Sequence, residues 1–326
     1  MYILGLQGSP RKTGNTNHLL ETWLAAARKR GTVTERIQAP QKDIRPCIGC
    51  GNCEKKGFCS IRDDDMTKEI YGKLRRADVV VLATPIYFYN ATAQLKAAID
   101  RSQTLWARKY KLGLTDPGRP DRKGVLLAVG ATKGKNLFEG MVLTAKYFFD
   151  AVGADFSTSL TYRHIEDIGD MQKHAAMIDD VNRSVAGLTP LLERKKFLFI
   201  CRDNAALSPM AAAFTRYLAG GKIEALSAGL SPAGRIEPVM ERVMADSGLD
   251  VAFAAPRSVD DVIAETPPDM VIHMGCGDDC PDISNAAIEE WDIHAPADRQ
   301  DEKSMRYARD DIEQRVAAGA NDLGIL

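Results

Sequence analysis

The chain has 326 residues, 45% of them apolar and 27% charged, which is ordinary for globular protein and sets a prior of two domains. Lys plus Arg (43) nearly cancels Asp plus Glu (44), so neither nucleic acid nor an anionic membrane is expected as a partner. No apolar run reaches the ~18 residues of a membrane span and no basic segment precedes a long apolar stretch, so a cytoplasmic protein with reduced thiols is expected.

Residues 2–7 read as a buried strand, 14–30 as an amphipathic helix and 33–38 as a short strand. A cysteine cluster then interrupts the pattern. A helix follows over 64–76, opened by Asp63-Asp64-Asp65, and then a largely apolar strand over 77–83, of the kind that suits a parallel sheet covered on both faces. A helix over 92–103, a polar insertion over 110–122, a strand over 125–129, a helix over 136–151, a strand over 156–160 and a helix over 169–190 complete the first series. Alternation restarts with a strand at 196–200. Helices at 208–219 and 235–247 flank a strand at 224–227, and a strand at 270–274 and a helix at 302–318 close the chain. Two such series predict α/β architecture: two three-layer αβα domains with parallel sheets, spanning 1–190 and 195–326.

The loop after the first strand is Gly8-Ser9-Pro10-Arg11-Lys12-Thr13-Gly14-Asn15-Thr16. A loop entering a helix at a strand's carboxyl end offers free N–H groups and a positive dipole end. Ser9, Thr13, Asn15 and Thr16 add side-chain donors and Arg11 adds charge, which is chemistry for a phosphate monoester. The triphosphate-binding loop is excluded, because no Gly-Lys-Ser/Thr follows. Two further strand-end loops, Thr84-Pro85-Ile86-Tyr87-Phe88-Tyr89-Asn90 and Gly130-Ala131-Thr132-Lys133-Gly134, are expected to lie along a flat ring.

Cys47, Cys50, Cys53 and Cys59 lie within thirteen residues. Three cysteines at intervals of three with a fourth nearby suit a cubane [4Fe–4S] cluster, and Gly49, Gly51 and Gly57 permit tight turns. Structural zinc usually takes two separated pairs, so the spacing favours iron–sulfur over zinc; a loop without metal is the third reading.

Taken together, "GSPRKTGNT", "PCIGCGNC…C…DDD" and "ATPIYFYNATAQLKAAIDR" resemble the iron–sulfur flavoproteins of the NADPH-dependent FMN reductase group, over residues 1–185. The resemblance implies a flavodoxin-like fold, FMN, and a homodimer or a dimer of dimers. It implies that Ser9, Arg11, Thr13, Asn15 and Thr16 hold the phosphate, and that Pro85, Ile86, Tyr87 and Phe88 line the ring. Gly130, Thr132 and Lys133 would lie on the ring's other edge. The last cysteine gap of five is the looser spacing those proteins show. The activity implied is electron transfer from NAD(P)H, ferredoxin or another donor to an unidentified acceptor.

In the second half, Cys201 sits between a strand and a helix, where helix N–H groups favour a thiolate. Phe199 to Ser208, Ser227-Ala228-Gly229, Gly248-Leu249-Asp250, Met274 to Pro281 and Glu290-Trp291-Asp292 resemble the low-molecular-weight tyrosine phosphatases and thioredoxin-coupled arsenate reductases over residues 195–320. Two departures matter. Leu207 stands where the family has its oxyanion-clamping arginine, and Ala295-Pro296 where it has Asp-Pro. A comparable oxyanion donor is worth ~10²–10³ in rate, and a general acid ~10²–10⁴, so phosphatase turnover is not expected. Arg202 and Asp298 are the nearby residues that would have to substitute. Cys201, Cys276 and Cys280 read as a thiol relay fed by the flavin, as ligand-binding thiolates, or as small buried residues left by descent. His273 and His294 read as structural. The alternatives to an FMN oxidoreductase are an electron carrier or redox sensor whose second domain binds without turnover, and a flavin-fed arsenate or thiol reductase.

Overall fold

The structure, a computed structural model, describes residues 1–118, 120–276, 279–293 and 298–322. In chain order the first half forms β1 (Tyr2–Gln7), α1 (Asn15–Arg28), β2 (Val33–Gln38), α2 (Asn52–Lys56), a π-helical turn (Met66–Ile70) running into α3 (Tyr71–Arg76), and β3 (Val79–Pro85). It continues with α4 (Ala93–Arg101), α5 (Gln103–Tyr110), β4 (Lys123–Val129), α6 (Glu139–Ala151), β5 (Asp155–Tyr162), α7 (Asp170–Lys173), α8 (Met177–Ala186) and α9 (Thr189–Leu192). The strands pair in the order β2-β1-β3-β4-β5, all parallel. This is the flavodoxin-like order, whose direction of winding reverses between β1 and β3.

The central strands β1, β3 and β4 are buried along nearly their whole length, which is why they read as continuous apolar runs. The edge strands β2 and β5 keep polar side chains. On α1, Leu19, Leu20, Trp23, Leu24 and Ala27 fall on one face and pack over β1, β3 and β4. Trp23 Nε1 donates to Ser184 Oγ on α8 at 3.0 Å, satisfying a buried indole N–H. The helix expected over 169–190 is broken into α7, α8 and α9: extended His174 (ψ 113°) separates the first two, and α8 ends at Ala186, capped by Gly187, before α9. The helix expected over 92–103 stops at Arg101, and a separate helix, α5, takes the next residues.

The second half forms β6 (Lys195–Cys201), α10 (Leu207–Ala219), β7 (Ile223–Gly229), α11 (Pro238–Asp246), α12 (Val259–Glu265), β8 (Met270–Met274), β9 (Ala287–Trp291) and α13 (Glu302–Asp322). Its parallel sheet runs β7-β6-β8-β9. Residues of α10, α11 and α13 fill one side of it and those of α12 the other. The chain thus makes two α/β units, 1–113 with 121–192, and 114–120 with 193–326. Residues 114–120, within the span given to the first domain by sequence, join the second unit by strand-like bonds: Thr115 N–H donates to the Gly248 carbonyl and Asp250 N–H to the Thr115 carbonyl, both at 2.8 Å.

Candidate functional site

In the first unit, the loop after β1 runs directly into α1. The N-cap Gly14 is extended, supplies no side-chain cap, and no acidic residue lies in the first turn. The helix's first N–H groups and positive dipole end are therefore left for an anion. Arg11, Lys12 and Thr13 are exposed around this end, while Ser9 and Thr16 are buried. Ser9 Oγ accepts from the Arg11 N–H at 3.2 Å, which curls the loop. This donor set fits a phosphate monoester. Asn15 has a different task. Its Nδ2 donates to the Asp167 carbonyl at 2.8 Å, and its Oδ1 accepts from the N–H groups of Gly169 (3.3 Å) and Met171 (3.1 Å). That side chain ties the loop to residues 167–171, leaving its backbone N–H for a ligand.

The three strand-end loops are stitched to one another. Gly8 N–H donates to the Ala83 carbonyl (2.8 Å), Thr92 Oγ1 donates to the Gly8 carbonyl (2.6 Å), and Ile86 N–H donates to the Val129 carbonyl (2.8 Å). Residues 87–90 form a tight turn closed by two backbone hydrogen bonds of 2.9 and 3.0 Å. Its central residues, Phe88 (φ 48°) and Tyr89 (φ 63°), are left-handed, where glycine or asparagine is normal. Left-handed backbone costs about 1–2 kcal/mol for such residues, and strain of this kind concentrates at functional sites. Phe88 is fully exposed. Tyr89 packs against the next loop: a Cβ on Gly134 would lie 2.9 Å from Tyr89 Oη, and one on Gly140 2.6 Å from the Tyr89 carbonyl oxygen. Pro85 and Ile86 are half-buried, Gly130 is buried, and Thr132 and Lys133 are exposed.

We expect Phe88→Gly to stabilise the protein by about 1 kcal/mol while weakening flavin retention, because it removes both the strain and an aromatic face. Melting curves and flavin titration check the pair of effects. A variant that is more stable and binds flavin as well as the native chain would remove Phe88 from the ring site.

The cysteines occupy one loop whose limbs meet. Asp43 N–H donates to Asp65 Oδ2 and Asp65 N–H to the Asp43 carbonyl, both at 2.9 Å, and Arg45 pairs with Asp63. Helix α2 lies inside it between Gly51 (φ 68°) and Gly57 (φ 74°), positions that need left-handed backbone. Cys47 and Cys50 are exposed, Cys53 and Cys59 half-buried. The Ser60 hydroxyl, 3.1 Å from Cys50 Sγ, pulls the Cys50 pKa down. Burial raises that of Cys53, with the neighbouring Cys59 and Cys47 thiolates adding to the rise. Among the described residues, no three His, Cys, Asp or Glu side chains converge on a point for a single metal ion. A cubane makes a different demand, since each thiolate binds a different iron and the sulfurs surround the cluster. Four thiols on one loop, with Cys53 near enough to feel the charge of Cys47 and Cys59, fit that donor chemistry. Asp64, read in the sequence as a helix-start signal, is buried here. Burial opposes its charge, but the hydrogen bond and charge of Arg101 outweigh this and hold its carboxyl below the usual range.

In the second unit, Cys201 ends β6, buried, and the loop 201–208 wraps toward α10. The carbonyls of Cys201, Arg202, Asp203 and Ala205 accept from the N–H groups of Leu230 (3.3 Å), Ser231 (2.8 Å), Ala233 (2.9 Å) and Glu237 (2.9 Å). Asn204 is left-handed (φ 52°); its Nδ2 donates to Ser208 Oγ at 2.8 Å, and that oxygen lies 3.0 Å from Cys201 Sγ. Leu207 is buried in the hydrophobic core. Arg202 is exposed and pairs with Asp279, and Asp298 is an exposed residue whose carboxylate accepts from the Gln300 N–H. Asp203 Oδ1 accepts from the Ala205 N–H at 3.2 Å and lies 4.0 Å from Cys201 Sγ, while Oδ2 pairs with Arg299. A carboxylate therefore takes up part of the loop's donor capacity. Cys276 and Cys280 are joined in a disulfide, leaving Cys201 free. His273 is buried with Nδ1 2.6 Å from Glu290 Oε1. His294, Ala295 and Pro296 lie outside the described residues. No helix among the described residues is long and apolar enough to cross a membrane.

Residues 1–135 match the family model for NADPH-dependent FMN reductase, and residues 196–324 that for low molecular weight phosphotyrosine protein phosphatase. An iron–sulfur flavoprotein of Methanosarcina thermophila is 38% identical over 41% of this chain and 65% of its own length. One from Archaeoglobus fulgidus is 34% identical over 44% of this chain and 69% of its own. A putative arsenate reductase of Halobacterium salinarum is 34% identical over 37% of this chain and 87% of its own. The chain spans between 45% and 65% of the length of the first iron–sulfur flavoproteins it matches.

Proposed function

Since the chain belongs to the NADPH-dependent FMN reductase family, among the iron–sulfur flavoproteins, and carries a second domain of the low-molecular-weight phosphotyrosine phosphatase family, we propose that it is an FMN-dependent oxidoreductase with a [4Fe–4S] cluster. The observation that carries this reading is the stitching of the loops after β1, β3 and β4 to one another at the sheet's switch point. Bound there, FMN supplies the two-electron chemistry. The chain's own residues bind and orient. Ser9, Arg11, Thr13, Thr16 and the N–H groups opening α1 hold the phosphate. Residues 85–88 offer the ring one surface, and Gly130, Thr132 and Lys133 another. Cys47, Cys50, Cys53 and Cys59 are the ligand set proposed for the cluster. NAD(P)H or ferredoxin is the donor class. Exposed Tyr87, Phe88 and Tyr89 form an aromatic patch beside the ring site, on which a donor or a second copy of the chain would pack.

A second reading is favoured by the second unit: a carrier or sensor in which the phosphatase-like module does not turn over. Leu207 in the core, Arg202 turned to Asp279, and the Asp203–Arg299 pair leave the loop without its oxyanion clamp. A flavin-fed arsenate or thiol reductase is the remaining variant, for which the closed Cys276–Cys280 pair and the free Cys201 would be the thiols available as acceptors.

Anaerobic NADPH and NADH oxidation by flavin-loaded protein distinguishes these. Sustained turnover with an added acceptor is expected of the oxidoreductase; reduction that stops at the protein's own electron capacity would favour the carrier. Cys201→Ser is expected to leave flavin reduction unchanged, because Cys201 belongs to the other unit. Loss of flavin binding or reduction in that variant would contradict the division of labour.

A further inference from the structure

One buried guanidinium touches both limbs of the cysteine loop. Arg101 ends α4 with its side chain 1% exposed. Its Nη1 donates to Asp64 Oδ2 and to the Arg45 carbonyl (2.8 Å). Its Nη2 donates to Asp64 Oδ1, to the Ile61 carbonyl and toward Thr67 Oγ1, each at 3.2 Å. Arg45 lies two residues before Cys47, and Ile61 two residues after Cys59. The middle of the loop is gripped from α5, where buried Arg108 donates to the Gly57 carbonyl at 3.1 Å and lies over the Phe58 ring at 4.9 Å. Tyr71 Oη donates to the Arg101 carbonyl at 2.7 Å and lies 3.0 Å from Thr104 Oγ1, fixing the end of α4 from which Arg101 projects.

We infer that Arg101 is the positioning residue of the cysteine loop: its planar fork clamps both limbs against Asp64, so that Cys47 to Cys59 is presented as one ligand set. This rests on the cluster proposed above. A buried ion pair is an expensive way to attach a loop, since an apolar pair of the same volume usually does so at least as well. The ion pair does what an apolar pair cannot: one side chain holds two separate carbonyls and a carboxylate at once. Lysine, with a compact ammonium and no fork, does not reproduce this geometry. Helix α4 is capped by Thr92, whose hydroxyl holds the Gly8 carbonyl of the phosphate loop, and ends at Arg101. At 1.5 Å per residue it is about 13 Å long, so one rigid element is anchored at one end to the phosphate loop and at the other to the cysteine loop.

The test uses the full chain, reconstituted anaerobically with ferrous iron, sulfide and FMN, as wild type, Arg101→Lys and Asp64→Asn. Both variants should bind iron about 10–100-fold more weakly, the usual effect of losing a group that orients metal ligands, with FMN content unchanged. The electron paramagnetic resonance signal of whatever reduced cluster they retain should differ from wild type. In metal-free protein, both variants should be cleaved between residues 46 and 60 about 10–100-fold faster, because the loop opens more often. Wild-type iron content together with wild-type loop resistance in Arg101→Lys would overturn the inference. So would loss of FMN in parallel with iron, which marks a general stabiliser of the unit. Wild type that takes up no iron refutes the cluster itself; the cleavage rates of the metal-free proteins then decide the clamp alone.

Discussion

Gly8→Val is expected to yield protein that folds but releases its flavin. Gly8 closes β1 onto β3 through its N–H to Ala83, and its carbonyl receives the Thr92 hydroxyl. A Cβ at this position would stand 2.7 and 2.8 Å from Leu95 side-chain atoms, inside contact distance, with the Ala83 carbonyl oxygen 3.3 Å away. Leu95 is fully buried on α4 and has little room to yield. The extra volume must push the phosphate loop away from β3 and α4. Overpacking of this kind costs about 1–3 kcal/mol of stability, a loss most domains survive. The effect on the ligand is larger. Displacing the loop removes at least two hydrogen bonds to a charged phosphate, at about 1.5–3 kcal/mol each, or about 10²–10⁴-fold in Kd. Flavin fluorescence titration measures this. A Gly8→Val protein that binds FMN like wild type would show that the phosphate does not lie against this loop.

Asn204→Ala should be the most damaging conservative change in the second unit. Asn204 is buried and left-handed. Its side chain donates to Ser208 Oγ and accepts from the Arg257 N–H at 2.9 Å. Alanine leaves that partly buried N–H without its partner, at about 1–3 kcal/mol, and costs about 1 kcal/mol more for left-handed backbone. A total near 3 kcal/mol corresponds to roughly 10 °C in melting temperature for a unit of this size. Asn204→Gly should recover the backbone share and not the hydrogen bonds, so it should fall between the two. Calorimetry of the three proteins checks the order. Equal melting temperatures would mean that the loop does not depend on Asn204 for its shape.

Much of the architecture is legible in the residues because buried parallel strands advertise themselves. β1, β3, β4, β6 and β8 are apolar runs bounded by turn residues, and the loops that follow three of them carry the residues proposed for the phosphate and the ring. β9 escapes such reading, because four of its five residues, Ala287 to Glu290, are exposed and only Trp291 faces the core. α12 is short, with two buried residues, too few to show a helical period. Residues 52–56 form α2 between two left-handed glycines, with no buried residue to signal a helix.

The residues proposed as ligands stand out in the sequence, and those that hold their loops do not. Ser9, Arg11, Thr13 and the cysteines stand in local motifs. Arg101 looks like a solvated residue at a helix end and Asp64 like a helix-start signal, and only the folded chain shows them buried together. The run Asp63-Asp64-Asp65 was the available hint, since three carboxylates in sequence seldom all serve one helix N-terminus. Asn15 shows the converse: its type and place suggest a ligand donor, while its amide ties down residues 167–171. Local sequence does not reveal a partner about 150 residues away.

The most direct measurement is a titration of flavin-free protein with FMN and, in parallel, with riboflavin, followed by flavin fluorescence. Loops that cradle the phosphate predict saturable binding of FMN, at least about 10²-fold tighter than riboflavin, which lacks the group. Equal affinity for the two, or no saturable binding of either, would contradict the account.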